Sequence, residues 1–174
     1  MKNFIKNYKT KGMVGVSSKY LVRKMLGEVD FSKDQIIVQL GVGTGVFTRE
    51  ILKNMSKNSK LYAFEVDTNC KKHIENIHDE RFSYIEDSAE FLEKYVKQPV
   101  HTIISTLPFA SLPNTLLPTI INECKDILAP NGIFLQYQYF LTDKKRIENI
   151  FQKKATLGFE LRNFPPAFIY KIQV

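Results

Sequence analysis

At 174 residues the chain is long enough for one domain and too short for an eight-fold barrel of about 250 residues. With 44% hydrophobic and 25% charged residues, and with 13 Phe and 8 Tyr, it can fill a real core, which excludes wholesale disorder. The net charge of +7 is uneven: residues 1–30 hold seven Lys and Arg against Glu28 and Asp30, so the basic excess lies in an N-terminal arm and the body is nearly neutral.

An arm of that kind suits a polyanionic surface, either nucleic acid or anionic lipid. No apolar run reaches the 18 or so residues that cross a bilayer. Cys70 and Cys124 lack CxxC spacing, so neither a disulfide scaffold nor a Cys-rich zinc site is supported. A soluble, reducing, cytoplasmic setting is expected.

Along the chain, Phe4, Ile5 and Tyr8 share one face of an expected basic amphipathic helix, and Gly12 and Gly15 separate it from a second pattern in Tyr20, Leu21, Lys24 and Met25. Residues 1–30 are read as this N-terminal helical segment and 31–174 as the main body of a single domain. The period then changes. Ile36–Leu40 is short, apolar and β-branched, which reads as a buried strand. It runs into Gly41-Val42-Gly43-Thr44-Gly45, followed by Val46, Phe47, Ile51, Leu52 and Met55 at helical spacing.

Strand and helix go on alternating. Strands are expected at 60–65, 82–86, 101–105 and 133–139. Helices are expected through Cys70, Ile74 and Ile77, through Phe91, Leu92, Tyr95 and Val96, and along the stripe from Leu116 to Leu128, which Ala129-Pro130-Asn131-Gly132 should stop. A helix with Ile147, Ile150 and Phe151 leads to two last strands near 159–164 and 168–174, too tightly joined for a crossover helix. The expected fold is therefore α/β: a mostly parallel sheet, helices on both faces, and an antiparallel C-terminal hairpin at or near one edge.

The glycine turn between the first strand and its helix lets a ligand approach bare backbone at the carboxyl end of the sheet. Its spacing is Gly-x-Gly-Thr-Gly, and Val46 stands where a dinucleotide fingerprint needs glycine, which argues against a nicotinamide enzyme. Glu65 ends the second strand 20 residues past Gly45, where a carboxylate can accept two ribose hydroxyls; Asp67 is its rival. Asp87, followed by Ser88, ends the third strand and could accept from an exocyclic adenine amine, cap the next helix, or both. Gly41, Gly43, Thr44, Gly45, Glu65, Asp87 and Ser88 together fit an adenosine lying across the sheet edge.

With those residues in view, the chain resembles the class I methyltransferases that use S-adenosylmethionine, which implies a seven-stranded sheet. The runs Ser105-Thr106-Leu107-Pro108-Phe109-Ala110-Ser111-Leu112-Pro113, Gln136-Tyr137-Gln138-Tyr139 and Asn163-Phe164-Pro165-Pro166-Ala167 resemble bacterial phospholipid N-methyltransferases, which methylate the amine of phosphatidylethanolamine. Gly15-Val16-Ser17-Ser18 is similar to the lead-in segment of that family, which puts Ser18 with the cofactor-binding residues. The related rRNA adenine dimethyltransferases carry Asn-Leu-Pro-Tyr where this chain has Thr106-Leu107-Pro108-Phe109, and they usually have a further C-terminal domain.

Three departures stand out against the phospholipid family: Gln39 replaces a usual Glu, Val42 a Pro and Thr106 a Gly. Gln39 keeps an acceptor for the cofactor without the charge, and Thr106 is expected to narrow the substrate entrance.

The resemblance implies S-adenosylmethionine as cofactor, no metal, and a lipid amine as acceptor, with nucleic-acid adenine and catalytically silent cofactor binding as rivals. The amine must be neutral to attack. Among the orienting groups expected are Ser105, which is also expected at the cofactor, Thr106, the carbonyl of Leu107, Tyr137 and Tyr139, with Phe109 bounding the methyl-bearing site. The basic arm would then hold the protein peripherally on an anionic membrane.

Overall fold

The computed structural model describes residues 17–174. The amphipathic pattern at Phe4, Ile5 and Tyr8 and the glycines at 12 and 15 lie outside the described residues.

Helix α1 (Lys19–Leu26) is followed by β1 (Ile36–Leu40), α2 (Val46–Asn54), β2 (Lys60–Phe64), β3 (Phe82–Ile85), α3 (Leu92–Tyr95), β4 (Val100–Ser105), α4 (Leu116–Ile127), β5 (Leu128–Gln138), α5 (Lys144–Phe151), β6 (Thr156–Glu160) and β7 (Ala167–Gln173). The strands form one sheet in the order β3-β2-β1-β4-β5-β7-β6. All neighbours are parallel except β7, which runs antiparallel to both β5 and β6. The expected seven strands and the C-terminal hairpin are both present.

The central strands are apolar at nearly every position because both faces are covered. Val38, Leu40, Ile103, Phe134, Tyr170 and Ile172 pack on one side with α3, α4 and α5. Ile37, Ile104, Leu135 and Ile169 pack on the other with α1 and α2. Burying a side chain of this size contributes roughly 1.5–3 kcal/mol. The stripe Leu117, Ile120, Ile121, Cys124 and Ile127 is the buried face of α4.

The structure departs from the sequence reading in four places; one is the strand expected near 159–164, where β6 instead ends at Glu160 and Leu161 and Phe164 are exposed on the loop that follows. The segment expected as a helix through Cys70 is a 3-10 turn over Thr68–His73, because Asp67 caps it through Asn69 and Ile74 is the one buried apolar residue in its vicinity. The helix at 91–96 shrinks to a 3-10 turn at Ala89–Phe91 and one turn of α3. Residues 129–132 do not separate α4 from β5 but belong to β5. An irregularity between the Val100–Leu128 and Thr102–Ile133 pairs absorbs them, with Asn131 at φ 64°.

Candidate functional site at the carboxyl edge of the sheet

Parallel strands β1, β2, β3 and β4 all end on the same edge, and the loops that follow them surround a shallow open cleft of about 100 Å³. Gly41, Glu65, Asp87 and Ser88 supply its polar wall. Val66, Leu107, Leu112, Leu116 and Ile120 supply an apolar slot. Sequence reasoning found the polar wall and missed most of the slot. Leu116 and Ile120 read as ordinary core stripe, and Val66 carried no signal beyond standing after an acid.

The glycine turn is built by close contacts. Gly41 has φ +84°, and a Cβ there would come within 2.8 Å of Thr106 Oγ1. Gly45 has φ +75°, and a Cβ there would come within 2.9 Å of Ile74. Only glycine holds these backbone angles at little cost. Arg49 braces the turn from outside by donating to the carbonyls of Gly45 and His73. Gly43 has open space around it. Thr44 contributes its carbonyl to Arg49 at 3.4 Å.

Glu65 ties this turn to the end of β2. Its Oε2 accepts from the backbone N–H of Val42 at 2.9 Å and of Gly43 at 3.1 Å, and its Oε1 accepts from Val66 and Asp67, both at 2.9 Å. One carboxylate has about four acceptor positions, so here the backbone engages all of them. Asp67, the rival acid, accepts from Asn69 instead.

Asp87 and Ser88 divide the work that the sequence left open. Ser88 is the cap, accepting from Glu90 N. Asp87 accepts from Ser88 N at 2.8 Å and from the Tyr95 hydroxyl at 2.6 Å, with Lys94 at 3.4 Å. The Tyr95 hydrogen bond, with help from the Ser88 amide and Lys94, holds the Asp87 carboxyl below the usual carboxylate range.

Several other expected residues take different roles. Gln39 is fully buried; its amide donates to Gly41 O at 2.9 Å and its carbonyl accepts from Thr48 at 2.8 Å, so it holds the glycine turn from beneath. Thr106 is not among the cleft-lining residues described; its hydroxyl lies 3.0 Å from Gly41 O and fastens the 105–109 loop to the glycine turn. Phe109, 2% exposed, belongs to the core with α4 and does not bound the cleft. Ser18 caps α1 through Leu21 N, and its own N–H donates to Asn163 Oδ1 at 2.9 Å.

The group expected to orient an amine is split by the pleat. Ser105 and Gln136 pair across β4 and β5 and share the face of Ile103 and Phe134. Tyr137 and Tyr139 lie on the opposite face, where Tyr137 stacks on Phe47 and receives a hydrogen bond from Ser17 at 3.2 Å. Burial pushes the Tyr137 phenol up to about 12, so it stays neutral near pH 7.

The carbonyl of Leu107 accepts from Gln136 Nε2 at 2.8 Å and from Gln138 Nε2 at 2.9 Å, a clamp on the motif loop that the sequence did not reveal. Gln136 Nε2 also reaches Tyr137 O at 2.6 Å, and Gln136 Oε1 is buried without a partner among the described residues. Ser105 is fully buried and accepts from Leu107 N at 3.4 Å. Among the described residues no group of His, Cys, Asp and Glu is arranged to hold a metal ion, and no helix is long and apolar enough to cross a membrane.

No family model matches the chain. The ornithine lipid N-methyltransferase of Singulisphaera acidiphila is 26% identical over 160 residues, which is 88% of this chain and 83% of that protein. Ribosomal RNA small subunit methyltransferase A of Sulfurihydrogenibium is 28% identical over 161 residues, 90% of this chain; the chain spans 58% of that relative's length. Among solved structures, a methyltransferase of Streptococcus mutans in complex with SAH superposes with a TM-score of 0.63 at 23% identity, covering 88% of this chain and 95% of that one. The fold is the class I methyltransferase fold, the one shared by enzymes that use S-adenosylmethionine.

Proposed function

We propose that this protein is an S-adenosylmethionine-dependent N-methyltransferase acting on the amine headgroup of a lipid, either phosphatidylethanolamine and its methylated forms or an ornithine-type lipid. The observation that carries the cofactor is one cleft in which Gly41, Glu65, Asp87 and Leu107, from the ends of four parallel strands, face an apolar slot. The residues fit an adenosine. Glu65 places its carboxylate and the four backbone N–H groups it holds at the ribose end of the cleft, Asp87 and Ser88 stand at the base amine, and Val66 and Leu112 offer apolar walls to the ring. Gly41 keeps the backbone bare.

The acceptor class is supported by the lipid methyltransferase relative, which aligns along most of both chains. Bound in the cleft, S-adenosylmethionine supplies a methyl already activated on a sulfonium, so the protein mainly has to align its partner. The acceptor amine must shed its proton first, and water can take it. At the end of β4, buried Ser105 and the Leu107 carbonyl, the latter clamped by Gln136 and Gln138, hold the motif loop that positions the amine. Thr106 serves the same loop as a fastener. The N-terminal lysines 2, 6, 9 and 11 hold the protein on anionic lipid.

The second reading, methylation of an adenine in RNA, is favoured by the ribosomal RNA methyltransferase match. Radiolabelled S-adenosylmethionine, offered with vesicles of phosphatidylethanolamine, with vesicles of ornithine lipid and with RNA in separate reactions, decides between them. Label in one lipid fraction supports the proposal and names the acceptor. Label in RNA alone overturns it.

A further inference from the structure

We propose that the β5–β7–β6 end of the sheet's carboxyl edge is a membrane-contact surface in its own right, through which Phe140, Leu141, Leu161 and Phe164 enter the headgroup boundary of an anionic bilayer. These side chains are 59%, 41%, 71% and 93% exposed, respectively. A soluble chain rarely leaves several large apolar side chains together on its surface without a use for them. They sit on two loops, 139–143 and 161–166. The first leaves β5 at its carboxyl end. The second joins the carboxyl end of β6 to the start of antiparallel β7. Topology therefore brings both loops to the same edge as the cleft.

The loops are braced, so the exposure is built in. The Phe140 carbonyl accepts from the Tyr170 hydroxyl at 2.8 Å. Asn163, 2% exposed, accepts from Ser18 N and donates to Pro165 O at 2.7 Å, while its neighbour Phe164 points to solvent. Arg162 pairs with Glu160 and lies 4.3 Å from the Tyr20 ring. Each loop thus spends its polar groups inward and presents an aromatic outward.

The charge around these tips selects the partner. Lys145 and Arg146 follow the first loop in the opening turn of α5, and Lys19 opens α1 beside Asn163. Of the nearby acids, Glu148 and Glu160 are already paired with Lys144 and Arg162, which leaves Asp143 against three cations. Apolar tips with basic residues on the elements that adjoin them match an anionic lipid surface, where aromatic side chains lodge at headgroup level and each cation adds attraction. Contact here turns the cleft mouth toward the bilayer; that consequence rests on the lipid-amine reading above, whereas the contact itself does not.

The test is flotation of the full chain with vesicles of phosphatidylcholine and phosphatidylglycerol, beside the Phe140→Ser/Phe164→Ser variant. Both side chains are exposed, so the melting temperature and the affinity for S-adenosylhomocysteine should not change. Vesicle affinity should fall about a hundredfold, roughly tenfold for each Phe removed from an apolar phase. Undiminished binding by the variant would overturn the proposal. So would a loss that tracks dissociation of a dimer in sedimentation, because the patch would then cover a second copy. If the wild type binds through these residues but methylates no lipid, the surface stands and the lipid-amine reading falls. If lipid in detergent micelles is methylated while the variant still floats, the reading stands and the surface falls.

Discussion

The carboxyl edge of the sheet has two halves that solve opposite problems. On the β1–β2–β3 half, polar groups are spent on one another: Glu65 takes four backbone N–H groups and Gln39 bridges Gly41 and Thr48. The result is a concave, preorganised wall around an apolar slot. On the β5–β7–β6 half, polar groups brace the loops from within, and Phe140, Leu161 and Phe164 are left outside. The same edge carries a polar-walled cleft at one end and exposed apolar tips at the other. The Gln136–Leu107–Gln138 clamp stands at the seam between them.

The comparison can be broken most severely at Gly41. A Gly41→Val change puts a branched Cβ at φ +84° and against Thr106. We expect a loss of about 2–3 kcal/mol of stability and no measurable binding of S-adenosylhomocysteine by calorimetry, with vesicle flotation retained. Glu65→Ala should come next. It strips acceptors from four backbone amides, and we expect about 2 kcal/mol lost in urea unfolding and roughly thirtyfold weaker S-adenosylhomocysteine binding.

Gln136→Leu sharpens the seam. Leu107 keeps its bond from Gln138, so cofactor affinity should hold while kcat falls about tenfold, the signature of a group that positions the reacting partner. A parallel change in cofactor KM would place Gln136 in the cofactor wall instead. The smallest effect belongs to the braces of the apolar half. Lys144 and the Ala155 amide hold Glu148 at about 2, and Arg162 holds Glu160 at about 2, against an ordinary 4.5. Both values are depressed in the folded chain, so their contribution is present above pH 4.5 and fades as pH falls toward 2. Urea midpoints for Glu160→Gln should therefore decline less steeply over that window than those of the wild type.

The cleft half was legible in the sequence because its signals are local. A β-branched strand, a glycine turn and acids at successive strand ends each announce themselves within a few residues. The clamp was not legible, because Gln136 and Gln138 read as strand residues, and only their register against β4 brings them to Leu107.

The apolar half actively misled. A strand was expected over 159–164, whereas β6 ends at Glu160. Leu161 and Phe164 carry the hydrophobicity of a buried strand but are exposed on a loop. Hydropathy cannot distinguish a side chain that faces a core from one that faces outward. Gln39 taught the converse. Its position suggested a cofactor contact, yet the hydroxyl of Thr48, nine residues on, claims its carbonyl.

The position of β7 has a consequence for the chain as it is made. Of the seven strands it leaves the ribosome last, yet it lies between β5 and β6. Until Ala167–Gln173 has emerged, β5 offers a bare edge and β6 has no neighbour to pair with. The core under α1 is also unfinished, since Ala167 and Ile169 belong to it, and the N-terminal lead-in waits for Asn163 to receive the Ser18 amide. A stalled or prematurely ended chain of this protein is therefore a sheet with a sticky central seam, open to pairing with another nascent chain. The arrangement that knits the first described residues to β7 makes the emergence of that strand the commitment step of folding.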